Sequence, residues 1–151
     1  MNKLEICKMS KKDIDKILLL NCLLNSNSWK QDDYLAILSS TTQSCIVAKI
    51  NSSIVGFLAF NILVDEIEIL QIVVDVNVQR NNIGRALIKY LYDLANQYSM
   101  KKIYLEVASK NISAIAFYNK LGFKDLYIRK NYYPDGDHAI IKEIVFNHAT
   151  C

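Results

Sequence analysis

Val73-Val74-Asp75-Val76-Asn77-Val78-Gln79-Arg80-Asn81-Asn82-Ile83-Gly84-Arg85-Ala86-Leu87 is the stretch where one kind of periodicity gives way to another. Upstream, the run Ile69-Leu70-Gln71-Ile72-Val73-Val74 fits a strand, Glu66 to Val76, buried on both faces. Downstream, good helix formers from about Gly84 to Tyr98 place Leu87, Ile88, Leu91 and Leu94 on one inward face. A buried strand that turns into a helix leaves unpaired backbone N–H groups and the positive helix end at the junction, which suits a phosphate. Arg80 and Arg85 flank that turn with positive charge. The spacing is neither the Rossmann glycine pattern nor a P-loop. On the residues alone, two readings stand: an anion site, or an ordinary connection with solvated arginines.

The flanking segments supply the rest of a mixed sheet. Leu4, Ile6 and Met9 fit a short strand, and Ser10 offers the N-cap of a helix carrying Ile14, Ile17, Leu18 and Cys22. A second helix is expected to start near Asn27 or Ser28 and to run through Trp29, Tyr34, Ile37 and Leu38, with Trp29 read as a core anchor ahead of a substrate-wall residue. Ser44–Ile50 and Ile54–Leu63 form a hairpin across Asn51-Ser52-Ser53. Ile103–Val107 is a further strand, and Asn111 and Ser113 open a helix with Ile115, Phe117, Tyr118 and Leu121, closed by Gly122. Phe123–Arg129 and His138–Val145 read as closing strands. The order predicts an α/β fold, a mixed sheet of about six to seven strands flanked by about four helices.

At 151 residues the chain is expected to form a single domain, 1–151, large enough to bury a core without metals or disulfides. A net charge of +3, with both signs interspersed, is too small to argue for nucleic-acid binding, and no direct nucleic-acid partner is expected. Cys7, Cys22, Cys45 and Cys151 show no C-x-x-C pairing, so no metal site is expected; the first three read as small buried hydrophobes in a reducing compartment. The N-terminal residues lack the apolar run of a signal peptide, and the apolar runs are too short to cross a membrane. A cytoplasmic monomer without membrane contact is expected.

Three blocks together resemble the GNAT acetyltransferases. Gln79-Arg80-x-x-x-Gly84-Arg85-Ala86-Leu87 is similar to the family's pyrophosphate-binding loop, with Asn82 in place of its first glycine. Asparagine enters the left-handed backbone region readily, so the turn survives the replacement. Leu105-Glu106-Val107-Ala108-Ser109-Lys110-Asn111 and the helix ending Tyr118-Asn119-Lys120-Leu121-Gly122-Phe123 resemble the family's second signature. Arg129-Lys130-Asn131-Tyr132-Tyr133, followed by His138-Ala139, resembles the block typical of N-terminal acetyltransferases, with His138 where an aspartate usually precedes the alanine.

The resemblance implies acetyl-coenzyme A as co-substrate and no metal. It implies that Ile72, Val73 and Val74 pair with the pantetheine arm, that Arg80, Asn81, Asn82, Ile83, Gly84 and Arg85 hold the pyrophosphate, and that Asn111 contacts the cofactor. It further implies Glu106 as general base, acting through water, and Tyr118 as general acid beside the sulfur. Glu106 at a strand end and Tyr118 on the next helix can face one cleft. The implied acceptor is the N-terminal alanine of a ribosomal protein of the small-subunit protein 18 type, and Asp65, Glu66 and Glu68 are expected to attract its basic residues. A lysine or small-molecule amine is the alternative acceptor, and a non-catalytic acetyl-coenzyme A-binding module the alternative role.

Overall fold

The structure is a computed structural model that describes residues 3–24, 29–78 and 82–148. Seven strands form one sheet: β1 (Leu4–Lys8), β2 (Gln43–Ile50), β3 (Ser53–Leu63), β4 (Glu66–Val74), β5 (Lys102–Ala108), β6 (Lys124–Arg129) and β7 (Ala139–Val145). Their order across the sheet is β1-β2-β3-β4-β5-β7-β6. Every neighbouring pair is antiparallel except β4 and β5. Helices α1 (Ile14–Leu24) and α2 (Gln31–Ser39) cover one face; α3 (Ile83–Gln97) and α4 (Ile112–Lys120) cover the other.

Local chemistry explains the joints. Asn51 and Ser52, both at positive φ, make the two-residue turn that suits the twist of the β2–β3 hairpin. The Asp13 carboxylate accepts the Ser10 N–H and hydroxyl ahead of α1, and the Asp33 carboxylate accepts the Lys30 N–H at the start of α2. The expected start of α2 at Asn27 or Ser28 lies outside the described residues. On α3, Ile83, Leu87, Ile88, Leu91 and Ala95 form one buried stripe, each large side chain contributing about 1.5–3 kcal/mol of burial. Leu94, expected inward, is half-buried at its margin.

Strand β4 is covered on both faces, as its apolar run predicts, but its register is broken. Its pairing with β3 skips Leu70: Phe60 opposes Ile69 and Ala59 opposes Gln71. This bulge switches the phase of the strand. Ile67 and Ile69 face α3 and α4, whereas Leu70, Gln71 and Val73 face α1 and α2. Buried Gln71 accepts a hydrogen bond from the Tyr34 hydroxyl at 2.8 Å. Trp29 packs on the same Tyr34, ring centroids 5.3 Å apart, as a core anchor. The strand ends at Val74, not Val76, because Val76–Val78 winds into a short 3-10 turn. The cysteine expectation holds only for Cys45, whose thiol burial pushes up to about 12; Cys7 and Cys22 are exposed, on the outer faces of β1 and α1.

Candidate active site

β4 and β5 pair only where Glu66, Ile67 and Glu68 meet Lys102, Ile103 and Tyr104. Beyond that point β5 stays on β7 through Ala108, while β4 follows β3 around the Leu70 bulge. The two strands part, and from Ile69 to Val73 β4 has no strand partner on its β5 side among the described residues. Ile72 and Val73 therefore line one wall of an opening in the sheet, and Val74 ends the strand beside them. A parted strand edge suits an extended molecule that carries amides.

At the end of that wall stands the first turn of α3. Asn82 caps it at φ 61°, ψ 22°, the left-handed region its residue type tolerates. Its carbonyl accepts the Ala86 N–H, and the N–H groups of Ile83, Gly84 and Arg85 have no partner among the described residues. Gly84 keeps the turn close to α4: a Cβ there would meet the Phe117 ring at 3.1 Å. Arg85 is exposed. Arg80 and Asn81 lie outside the described residues. Asn111 caps α4, its side-chain oxygen accepting the Ala114 N–H at 3.2 Å, which leaves its amide N–H groups to donate elsewhere. Taken together, a bare strand edge, a helix N-terminus and a flanking amide fit an acyl-coenzyme A with its amide-bearing arm and pyrophosphate. Among the described residues no group of side chains is arranged to hold a metal ion.

The two proton-handling candidates sit on opposite faces of β5. Leu105 and Val107 point into the core beneath α3 and α4; Glu106, between them, points to the opposite face and is exposed. Tyr118 belongs to the α3/α4 core, 6% exposed and edge-on to Phe117 and Phe123. Burial raises its hydroxyl above the ordinary tyrosine value, and that hydroxyl has no hydrogen-bond partner among the described residues. The opening between β4 and β5 lies between the two faces, so it is the cleft that both side chains can share.

On the Glu106 face lies a cavity of about 200 Å³ lined by Glu68, Tyr104, Glu106, Tyr127 and Arg129 among others. Burial, with the Glu106 charge adding to it, raises the Glu68 carboxyl above its ordinary value, and the Arg129 charge opposes the rise. The Arg129 guanidinium donates to the Tyr127 hydroxyl at 3.1 Å and lies over the Tyr132 ring. Tyr133 is close enough to Glu106 for that charge, after burial, to raise its hydroxyl as well. The Tyr132–Tyr133 pair is T-shaped, centroids 5.2 Å apart. The loop carrying it is tied to the end of β5, because buried Asp137 accepts the Ser109 hydroxyl and the Lys110 and His138 N–H groups.

The acidic patch expected at the start of β4 shrinks in the fold. Asp65 pairs with Lys101 at 2.7 Å, and Glu66 shares Lys102 with Glu143. Glu68 makes no ion pair within 4 Å among the described residues, so only it and Glu106 keep their charge open to the cavity. Sequence reading missed Glu68 as a neighbour of Glu106, and gave Arg129 and Asp137 no role. The signal was the parallel register: Glu68 opposes Tyr104, and Glu106 is two residues further on the same face.

A model of the acetyltransferase (GNAT) family matches residues 14–123. The [ribosomal protein bS18]-alanine N-acetyltransferase of Escherichia coli K12 is 38% identical over 87 residues, a match spanning 58% of this chain and 59% of that relative. An N-alpha-acetyltransferase of Saccharolobus solfataricus is 30% identical over 142 residues, 85% of each chain. The crystal structure of the ribosomal-protein-S18-alanine N-acetyltransferase from Escherichia coli superposes with a TM-score of 0.89 at 27% identity, covering 98% of this chain and 97% of that one. With the seven-stranded sheet, the parted strands and a family match over most of its length, the chain belongs to the GNAT family of N-acetyltransferases, enzymes that use acetyl-coenzyme A.

Proposed function

We propose that the chain acetylates the α-amine of a ribosomal protein that begins with alanine, of the small-subunit protein 18 type. One observation carries this reading. Glu106 stands exposed and without an ion pair among the described residues, at an opening flanked on one side by a helix N-terminus and on the other by the Tyr132–Tyr133 loop. The bacterial relative is named for alanine acetylation of a ribosomal protein and the archaeal one for α-amine acetylation, and both names favour a protein N-terminus over a lysine.

In this reading Ile72, Val73 and Val74 hold the pantetheine arm, Arg80 to Arg85 (with Asn81, Asn82, Ile83 and Gly84) hold the pyrophosphate, and Asn111 donates its amide. Acetyl-coenzyme A bound there supplies the activated acetyl thioester. Glu106 takes the proton of the incoming amine through water; an α-amine titrates near ~8, so a modest base suffices. A β4 backbone N–H polarises the acyl carbonyl, and the Tyr118 hydroxyl, kept protonated by burial, donates toward the sulfur as its charge grows. The two tyrosines of the 131–138 loop wall the acceptor's first residue and favour a small one. The enzyme acts as a cytoplasmic monomer without a metal.

The test is one reaction containing an alanine-starting basic peptide, a Met-Glu-starting peptide and free lysine, with labelled acetyl-coenzyme A and mass mapping of the products. The alanine peptide should dominate. Preferential labelling of lysine moves the chain to a lysine or small-amine acceptor, and absence of any product with bound cofactor makes it a non-catalytic binding module.

A further inference from the structure

The loop between β6 and β7 is held closed by a side chain where this sequence departs from its family's pattern. The β6–β7 ladder ends at Arg129 opposite Ala139. Beyond it the Tyr133 N–H donates to the Asp137 carbonyl at 3.1 Å, and the Gly136 N–H donates to the Tyr133 carbonyl at 2.9 Å. Asn131 is the odd member. At φ 53° it occupies the left-handed region, which turns its N–H out of the ladder. That N–H donates to Nδ1 of His138 at 2.9 Å. His138 is itself fixed from both sides, its N–H bonded to the Asp137 carboxylate and its carbonyl accepting the Ser109 N–H.

We infer that His138 is a positioning residue for the acceptor: its Nδ1 lone pair holds Asn131 in the left-handed turn and thereby sets the Tyr132–Tyr133 wall beside Glu106. The inference rests on the proposed N-terminal acetyltransferase activity for its meaning, not for its measurement. The usual aspartate at this position offers an oxygen at nearly the same distance from the backbone as Nδ1. The chemistry preserved is an acceptor at the δ position, and the ring beyond it is incidental. Without that acceptor Asn131 has no reason to stay at positive φ. It relaxes toward extended backbone, and Tyr132, the next residue, moves with it.

The atom-level claim separates three variants. His138→Asn keeps an acceptor at the δ position, His138→Gln moves it to the ε position, and His138→Ala removes it. Gln and Ala should raise the KM for the alanine-starting peptide about three- to ten-fold, the scale of one hydrogen bond plus a released loop, with the Kd for acetyl-coenzyme A unchanged. Asn should restore the peptide KM to within about two-fold of wild type. In parallel, hydrogen exchange at the Asn131 amide, read by NMR on the wild-type and variant proteins, needs no substrate. It should be protected in wild type and His138→Asn and fast in Gln and Ala. Equal exchange in all four proteins overturns the inference, as does a KM shift in His138→Asn as large as in Ala. If no peptide is acetylated by wild type, the activity reading fails, and the exchange pattern still decides the role of His138.

Discussion

Gly56 lies on β3 opposite Val74, and its surroundings set the size of a substitution there. A Cβ on Gly56 would stand 2.9 Å from the Val73 carbonyl oxygen and 3.5 Å from Ile83 Cγ2 and Val74 Cα. The oxygen is backbone, and β3 is held on its other side by β2, so relief requires β3 and β4 to separate. Overpacking of this kind costs about 1–3 kcal/mol. Alanine returns about 0.4–1 kcal/mol by restricting the unfolded chain. The net loss for Gly56→Ala is about 1–2 kcal/mol, and at about 2–4 °C per kcal/mol for a chain of this size, Tm falls by roughly 2–8 °C. Because the strand that must move is the proposed cofactor wall, the Kd for coenzyme A should also rise several-fold. Gly84→Ala is the internal control. Its Cβ would meet the Phe117 ring edge at 3.1 and 3.3 Å, a half-buried side chain rather than backbone, and helix propensity returns about 0.8–1 kcal/mol. Its Tm should stay within about 2 °C of wild type. Thermal melts followed by circular dichroism, and calorimetric titration with coenzyme A, read both variants. A Gly56→Ala protein that melts with wild type and binds coenzyme A as well would show that the β3–β4 spacing is compliant. A larger drop for Gly84→Ala would reverse the reasoning outright.

Glu106→Gln and Tyr118→Phe should each lose about 10²-fold or more in kcat with unchanged Tm, since Glu106 is exposed and the Tyr118 hydroxyl has no partner among the described residues; near-wild-type rates in single-turnover assays would withdraw the assigned roles. Lys142 is 1% exposed and bonds Asn119 and Asp125, whereas Asp125 is 59% exposed. Asp125→Ala should therefore cost about 2–4 kcal/mol by stranding a buried ammonium, while Lys142→Met, which returns Asp125 to water, costs less; urea unfolding giving the opposite ranking would contradict this. The Ser109 hydroxyl first, then the Lys110 and His138 N–H groups, hold the Asp137 carboxyl below its ordinary value. A folded value below the unfolded one stabilises above the ordinary aspartate range and is lost as pH falls through the folded value. The Tm gap between wild type and Asp137→Asn should be full at neutral pH and close below about pH 4, and a gap independent of pH would show that charge is not involved.

How much of this was legible depended on the sequence range over which each feature is decided. The α3 stripe, the Asn51-Ser52 turn and the left-handed Asn82 are set by residues a few positions apart, and their patterns read correctly. The Leu70 bulge did not, because a run with a single polar residue, Gln71, does not mark where its phase switches, and the partner that fixes Gln71, Tyr34, lies 37 residues away. The exposed Cys7 and Cys22 misled for the same reason, since apolar neighbours do not say which face a residue takes. The same division runs through the site. Its proposed cofactor side is made of local motifs, a strand, a helix N-terminus and the Asn111 cap, whose residues stand close together in the sequence. Its proposed acceptor side draws Glu68 from β4, Glu106 from β5, Arg129 from β6 and Tyr133 from the loop before β7. Those residues meet only after a parallel pairing three residues long brings β4 beside β5 and then releases it. The same pairing sets Glu66 against Lys102, with Asp65 paired to Lys101 just before β5, so it decides both which acids have a cationic partner and where they point. The residues of the proposed donor site are therefore readable from short strings in this chain, while those of the proposed acceptor side are brought together by the register between β4 and β5.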